Sequence, residues 1–304
     1  MTKERAMSAA TRGTVKVPPR TVTTRRVAFA YPETDLPRHY VSGDPVMSAV
    51  VSVLSALFPE GEDFFVRSVR SYREEVSDPE LKRQVAGFIG QEAMHGREHR
   101  RFNERLASLG YPTRAIERTL SWGFKASERL PGRSRRLAVT AALEHYTATL
   151  AEVLLTDPRA QATLDIEEVR NLFMWHALEE SEHKAVAFDV FEAVCGKDRM
   201  RRWVMNATTF GFFGVVIFWT GLSLLLDGAS WRHPVRLLRS LANLRRSPWV
   251  SRAIWRRLRD YNRRGFHPDD WDADELTAKW REELFGAHGS LTTGLATDSA
   301  TACR

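Results

Sequence analysis

Apolar residues between Asp44 and Gly196 recur every three or four positions rather than every second position. This spacing places them on one face of an α-helix and predicts amphipathic helices packed around a common core. Residues that typically begin or end helices support this prediction. Asp78-Pro79 is typical of a helix start, and Gly110-Tyr111-Pro112 is typical of a helix end. The pattern predicts four long helices, at residues 45–77, 79–109, 135–156 and 165–194.

The connection between the second and third predicted helices spans residues 110–134 and is long enough to cross the bundle. Four helices with one crossover are typical of the ferritin-like four-helix bundle, so we expect an all-α fold with that topology. We divide the chain into a flexible basic arm (1–40), the four-helix bundle (41–196), an apolar and basic C-terminal helical extension (197–285) and a disordered tail (286–304).

Composition restricts the chemistry of any site. The chain has 304 residues, of which 43% are hydrophobic and 27% are charged, as in ordinary globular proteins. Its two cysteines, Cys195 and Cys303, form neither a disulfide framework nor a C-x-x-C site. We therefore expect a reducing, cytoplasmic location, and any metal must be held by histidines and carboxylates.

The net charge of +7 is spread unevenly, and residues 197–264 carry fifteen Lys or Arg against three Asp or Glu. Within this region, residues 204–226 contain no charge and would form a helix of about 35 Å, enough to span a bilayer core. Three interpretations remain open: burial against the bundle or in a homodimer contact, insertion into one leaflet, or a true span. The basic flanks favour a peripheral position on the inner face of the membrane, and no recognisable module predicts nucleic-acid binding.

The second and fourth predicted helices each contain a Glu-x-x-His pair. At 100° per residue, each pair shares its helix face with one further histidine, so each helix projects a trio of polar side chains from one side. The trios are Glu92, His95 and His99 on the second helix, and His176, Glu180 and His183 on the fourth.

The first and third helices must each supply one more carboxylate if the bundle core holds a metal pair. Glu62 and Glu144 are the candidates, because each interrupts an apolar run. A carboxylate in such a run needs a partner, since an unpaired buried charge is very costly. Glu60 remains an alternative to Glu62.

Several neighbouring residues have open roles. Glu179 lies almost as close as Glu180 to the line that joins the two histidines of the fourth helix, although the spacing to His183 favours Glu180. His99, His145 and Glu179 are candidates for orienting the metal ligands rather than binding metal.

Nitrogen and oxygen ligands without thiolate suit two iron ions bridged by Glu, with manganese as an alternative and zinc less expected. The chain contains no His-Glu-x-x-His, and none of its nine histidines is followed by Asp. The absence of both motifs weighs against the metallohydrolase classes that use them.

Four segments resemble a bacterial family catalogued as predicted metal-dependent hydrolases, over about residues 25–285. They are Phe58–Phe65, Gln91–His99, Trp175–His183 and Gly265–Pro268. The order of ligands along the helices is also similar to that of the di-iron arylamine N-oxygenases. This second resemblance implies that His176 is a seventh protein ligand, and that the metal pair uses dioxygen.

We therefore expect a di-iron oxidoreductase that activates dioxygen and oxidises a hydrophobic or aromatic small molecule with electrons from an external donor. The alternative is a metal-dependent hydrolase with the same ligands, in which the metals activate water. A third hypothesis is that the chain is an iron-binding protein that takes part in oxidative detoxification.

Overall fold

The computed structural model describes residues 17–29, 31, 36–130 and 132–295. This part of the chain is all-α, as expected, and contains no strand. The helices are α1 (Pro45–Arg70), α2 (Pro79–Ser108), α3 (Thr113–Arg129), α4 (Arg133–Thr156), α5 (Pro158–Thr163), α6 (Glu167–His183), α7 (Val186–Val194), α8 (Asp198–Leu225), α9 (Gly228–Trp231), α10 (Pro234–Asn243), α11 (Arg252–Asp260) and α12 (Asp274–Phe285).

The four longest predicted helices correspond to α1, α2, α4 and α6 with its continuation α7. Two of their starts are fixed by caps, because the carboxylates of Asp44 and Asp78 accept hydrogen bonds from the backbone N–H groups of Met47 and Leu81. A proline follows each cap, where its missing N–H costs nothing. The helical bundle is confirmed, and its ferritin-like topology stays a prediction.

Three boundaries differ from the prediction. Helix α1 ends at Arg70, and residues 71–75 form a turn instead of continuing to 77. The fourth predicted helix is broken after His183 and resumes as α7. The 110–134 connection contains α3, whose Ile116 packs with Val53 and Ala56 of α1. The connection between α2 and α4 is therefore largely a helix that packs on the bundle and not simply a loop.

The predicted flexible arm is wrong for residues 17–29, which lie against the bundle. Val22 and Arg25 are buried, and the segment approaches α2 at Gly87 and Gly90. A Cβ at either glycine would collide with Val22 or with Thr24, so the absence of side chains permits this close approach. Residues 1–16 lie outside the described part of the chain.

The C-terminal third packs on the bundle through two of its helices. Helix α8 packs against α1 and α4, and α12 packs against α6. Part of the predicted disordered tail is folded, since Leu291 is buried and the Gly294 carbonyl accepts from the Ala28 N–H at 3.2 Å. Residues 296–304 fall outside the described ranges.

Helix α8 is long and apolar enough to cross a membrane by length and composition, with only 6% of its most apolar window buried. Core helices pass the same length test, but they are mostly buried. The low burial shows that one side of α8 faces away from the bundle.

His267 connects the arm, α7 and the segment after α11. Its Nε2 lies 2.7 Å from Asp189 Oδ1, and Arg20 donates to Asp189 Oδ2 at 2.8 Å. Burial opposes protonation of His267, but the hydrogen bond and charge of Asp189 outweigh it and raise the pKa of the imidazole above its usual value.

A raised folded-state pKa means that the stabilisation is complete below the unfolded-state pKa and is lost as pH rises through the folded-state pKa. We expect His267→Asn to lower the free energy of unfolding by about 1–2 kcal/mol at pH 6 and by less at pH 9. Urea unfolding of both proteins at the two pH values tests this. An equal difference at both pH values would contradict it.

Candidate metal centre

All seven predicted ligands meet in the middle of the bundle, and all seven are buried. Glu62 comes from α1, Glu144 comes from α4, and the other five project from α2 and α6. Their ligand atoms form three groups, each within 4.8 Å: Glu62, His95 and His176; Glu92, Glu144 and His183; and Glu92, His95 and Glu180.

Glu62 reaches the cluster because α1 and α2 approach closely beside it. A Cβ at Gly96 of α2 would lie 3.2 Å from Glu62 Oε2 and 3.8 Å from the Pro59 Cα. A glycine at this position therefore leaves room for the carboxylate. Glu60, the alternative carboxylate, lies instead 3.7 Å from the guanidinium of Arg100.

Glu180 lies between the two halves of the cluster. Its Oε1 is 2.9 Å from His176 Nε2 and 3.6 Å from His95 Nδ1, while its Oε2 is 3.6 Å from His183 Nε2. Glu92 is also shared, because it belongs to both a group with His183 and a group with His95. Glu92 and Glu180 thus each face side chains from both halves of the cluster.

The cluster contains buried polar atoms that the protein does not satisfy. Both carboxylate oxygens of Glu62, of Glu92 and of Glu144 lack a hydrogen-bond partner. The same is true of His95 Nδ1 and of His183 Nε2, although the latter lies 3.0 Å from a Glu92 oxygen. Leaving such atoms unpaired is costly, so this donor set fits divalent cations.

The pKa shifts of the buried carboxyl groups also favour a bound cation. Burial, followed by the charges of Glu92 and Glu180, raises the pKa of Glu62 and the pKa of Glu144 well above the usual value. Burial also opposes ionisation of Glu180, but contacts with His183 outweigh it and hold the pKa of Glu180 well below its usual range. The crowded carboxylates repel one another, and positive charge at the centre would relieve that repulsion.

Two of the histidines are oriented by hydrogen bonds on the side away from the cluster. His95 Nε2 lies 3.0 Å from Glu179 Oε2, and His183 Nδ1 lies 2.9 Å from Gln91 Oε1. Gln91 uses its amide nitrogen to donate to Glu182 at 3.0 Å, which leaves its oxygen to accept from His183. Each imidazole therefore turns its other nitrogen toward the carboxylates.

A longer chain of hydrogen bonds fixes His176. The Asn103 amide nitrogen donates to Glu117, so its oxygen accepts the single Ser55 hydroxyl proton at 2.7 Å. Ser55 must then accept from His99 Nδ1, at 2.9 Å, and His99 Nε2 must accept from His176 Nδ1, at 2.7 Å. His176 therefore turns its Nε2 toward Glu180 Oε1, at 2.9 Å. His99 thus fixes the orientation of His176, and the role of either histidine toward a metal stays a prediction.

An ion-pair network lies behind these hydrogen bonds. The Arg25 guanidinium contacts Glu179 Oε1 at 3.0 Å and Glu182 Oε1 at 2.8 Å, and Arg281 contacts the same Glu182 oxygen at 2.9 Å. Sequence analysis identified Glu179 here, but it placed Arg25 in the flexible arm and gave Gln91 and Glu182 no role at the centre. No local pattern connects Arg25 with a carboxylate 157 positions away.

His145 does not belong to the centre, which corrects its prediction as an orienting residue. Its Nε2 lies 2.9 Å from the Arg257 carbonyl oxygen, and its ring contacts Tyr261 and Phe266. Burial lowers the pKa of His145 to about 4. It follows Glu144 in sequence, but a neighbour one residue along a helix points about 100° away.

Two adjoining apolar cavities of about 280 Å³ each border the cluster. One reaches Glu62 and Glu180, and the other reaches His176 and Glu180. They share the lining residues Leu54, Phe58, Thr147, Leu150, Glu180 and Phe212. A substrate with an apolar body would therefore lie directly beside the carboxylates.

A family model described as "Predicted metal-dependent hydrolase" matches residues 23–272. The matched range begins just before Arg25 and contains all seven side chains of the cluster. No curated protein and no solved structure matches the chain.

Proposed function

Because the chain belongs to the family of predicted metal-dependent hydrolases, we propose that it hydrolyses a substrate with an apolar body at a dinuclear metal centre. The observation that carries this proposal is the set of buried carboxylate oxygens that have no partner within the protein. Such a set is costly in a metal-free protein and suits a pair of divalent ions.

We assign the two ions to two sets of side chains that share the bridging residues. One set is Glu62, His95 and His176, and the other is Glu144 and His183. Glu92 is shared through its two groups, and Glu180 through its contacts with His176, His95 and His183. Bound metal of this kind lowers the pKa of a coordinated water and polarises a carbonyl or phosphoryl oxygen. The carboxylates would balance the positive charge of the ions, and the hydrogen bonds behind the histidines would keep the imidazoles in orientation. The apolar cavities would exclude bulk water and bind the substrate body.

The proposal predicts metal-dependent cleavage of esters that carry an acyl chain. We expect p-nitrophenyl decanoate to be cleaved by the protein loaded with two ions per chain and not by the chelated protein. Leu150 lines both cavities, so Leu150→Trp should lower the kcat/KM for decanoate about tenfold or more and leave acetate nearly unchanged. Cleavage that survives chelation would contradict the proposal, as would inactivity with every divalent ion.

One observation favours a second candidate, oxidation by dioxygen. Four glutamates and three histidines without thiolate suit two iron or manganese ions, and the adjoining cavities suit an apolar substrate. This function would require an external electron donor. Anaerobic loading with ferrous iron, followed by exposure to dioxygen, distinguishes the hydrolase from the oxidase. Uptake of dioxygen without ester cleavage would contradict the hydrolase proposal and favour oxidation.

A further inference from the structure

Helix α8 exposes a continuous apolar stripe. Trp203, Phe210, Ile217 and Leu225 recur every seven or eight residues and are 65%, 82%, 68% and 66% exposed. At 1.5 Å per residue the stripe is about 33 Å long. The opposite side of the helix packs against α1 and α4, so the exposed stripe is one face of a docked helix.

Helix α10 extends this surface. Leu237 and Ser240 are buried on its inner side, while Val235 and Leu238 are exposed on its outer side. We call the exposed large apolar side chains of both helices the apolar face. It consists of Trp203, Phe210, Ile217, Phe218, Leu225, Val235, Leu238 and Leu241.

The segment beside the apolar face is strongly basic. Residues 228–257 contain eight arginines and no Asp or Glu. Five exposed arginines form no ion pair with any described residue: Arg232, Arg239, Arg245, Arg246 and Arg252. An exposed apolar surface bordered by free cations complements an anionic lipid surface.

The same surface leads to the metal centre. The cavity that reaches His176 and Glu180 is lined by Val216 of α8 and by Leu244, Trp249 and Val250 of the basic segment. Val250 is itself 49% exposed. The gap between α8 and residues 244–250 therefore connects the surface beside the apolar face with the buried carboxylates.

We propose that the apolar face docks on an anionic lipid bilayer and that a hydrocarbon-chain substrate enters from the bilayer through this gap. The entry step rests on the proposed function, whereas docking does not. A second copy of the chain is a poorer occupant, because a two-fold contact would bring the arginine-rich segments together. A full span by α8 conflicts with its packing along α1 and α4.

Vesicle flotation of the full chain tests the docking. We expect binding to vesicles that contain phosphatidylglycerol and little binding to pure phosphatidylcholine. Phe210→Gln with Ile217→Gln should abolish binding, and Arg239→Gln with Arg245→Gln and Arg246→Gln should weaken it on the order of fivefold per arginine. All five side chains are exposed, so the variants should fold.

A matched control removes the same charge elsewhere. Arg73, Lys82 and Arg170 are exposed cations outside the basic segment. Their combined replacement by Gln should leave flotation unchanged. The proposal is overturned if this control weakens binding as much as the arginine variant does, or if no vesicle binds. It is also overturned if light scattering shows a dimer that Phe210→Gln with Ile217→Gln converts to a monomer.

Val216→Trp tests the entry route. It should lower the affinity for a fluorescent fatty acid about tenfold and leave flotation unchanged, because it narrows the gap without altering the exposed stripe. Unchanged fatty-acid affinity would contradict entry beside α8. If flotation and fatty-acid binding persist while no ester is cleaved, the hydrolase proposal fails and the docking proposal stands.

Discussion

Replacing Glu180 by alanine should prevent the protein from holding either metal ion. Its two oxygens face the two halves of the cluster, Oε1 toward His176 and His95 and Oε2 toward His183. Loss of a shared ligand weakens both sites, so we expect the affinity for each ion to fall by at least about 100-fold. Metal content after dialysis against a weak chelator measures this directly.

Glu144→Ala is the matched control for Glu180→Ala. Glu144 approaches His183 at 3.3 Å, whereas Glu180 approaches histidines of both halves of the cluster. We expect this variant to keep about one ion per chain where the Glu180 variant keeps none. Equal losses in the two variants would show that Glu180 does not bridge.

Replacing Arg25 by methionine should destabilise the protein by about 3–5 kcal/mol, because it leaves Glu179 and Glu182 as buried carboxylates without their main partner. Metal affinity should fall with it, on the order of 10–100-fold, since Glu179 orients His95. Urea unfolding of the metal-free protein and metal titration measure the two effects separately.

Two further variants distinguish lost charge pairing from lost packing at Arg25. Arg73→Met changes an exposed arginine elsewhere and should alter stability by no more than about 0.5 kcal/mol. Adding Glu182→Gln to Arg25→Met should recover part of the stability, because it removes one uncompensated charge. If the double variant is less stable than Arg25→Met, the charge-pairing explanation is wrong.

The bundle and the positions of the seven cluster residues could be predicted because their signals are local. Helical periodicity located α1 and α2, Asp78-Pro79 marked the start of α2, and the Glu-x-x-His spacing placed ligand candidates on one face. Glu62 and Glu144 were predicted because they interrupt apolar runs, and the structure brings both to the same buried cluster.

What was missed depends on contacts between distant parts of the chain. Arg25 lies in a Thr- and Arg-rich segment that looks solvated in sequence, and only its packing over Gly87 and Gly90 reveals its role. The prediction that His145 orients a metal ligand was wrong, because a residue next to Glu144 in sequence does not point in the same direction from the helix. Helix α3 was missed because turn signals at both ends of 110–134 suggested a connection.

The network around Arg25 also has a consequence for the order of assembly. Glu182 follows Arg25 after 157 residues, and Arg281 follows Glu182 after a further 99 residues. Because these contacts join residues far apart in sequence, the support behind His95 and His183 cannot be complete before Arg281 has been synthesised. Metal insertion that needs this support must therefore wait until Arg281 has joined the folded bundle. A fragment that ends after α7 would be released without Arg281 and with an incomplete wall behind the centre.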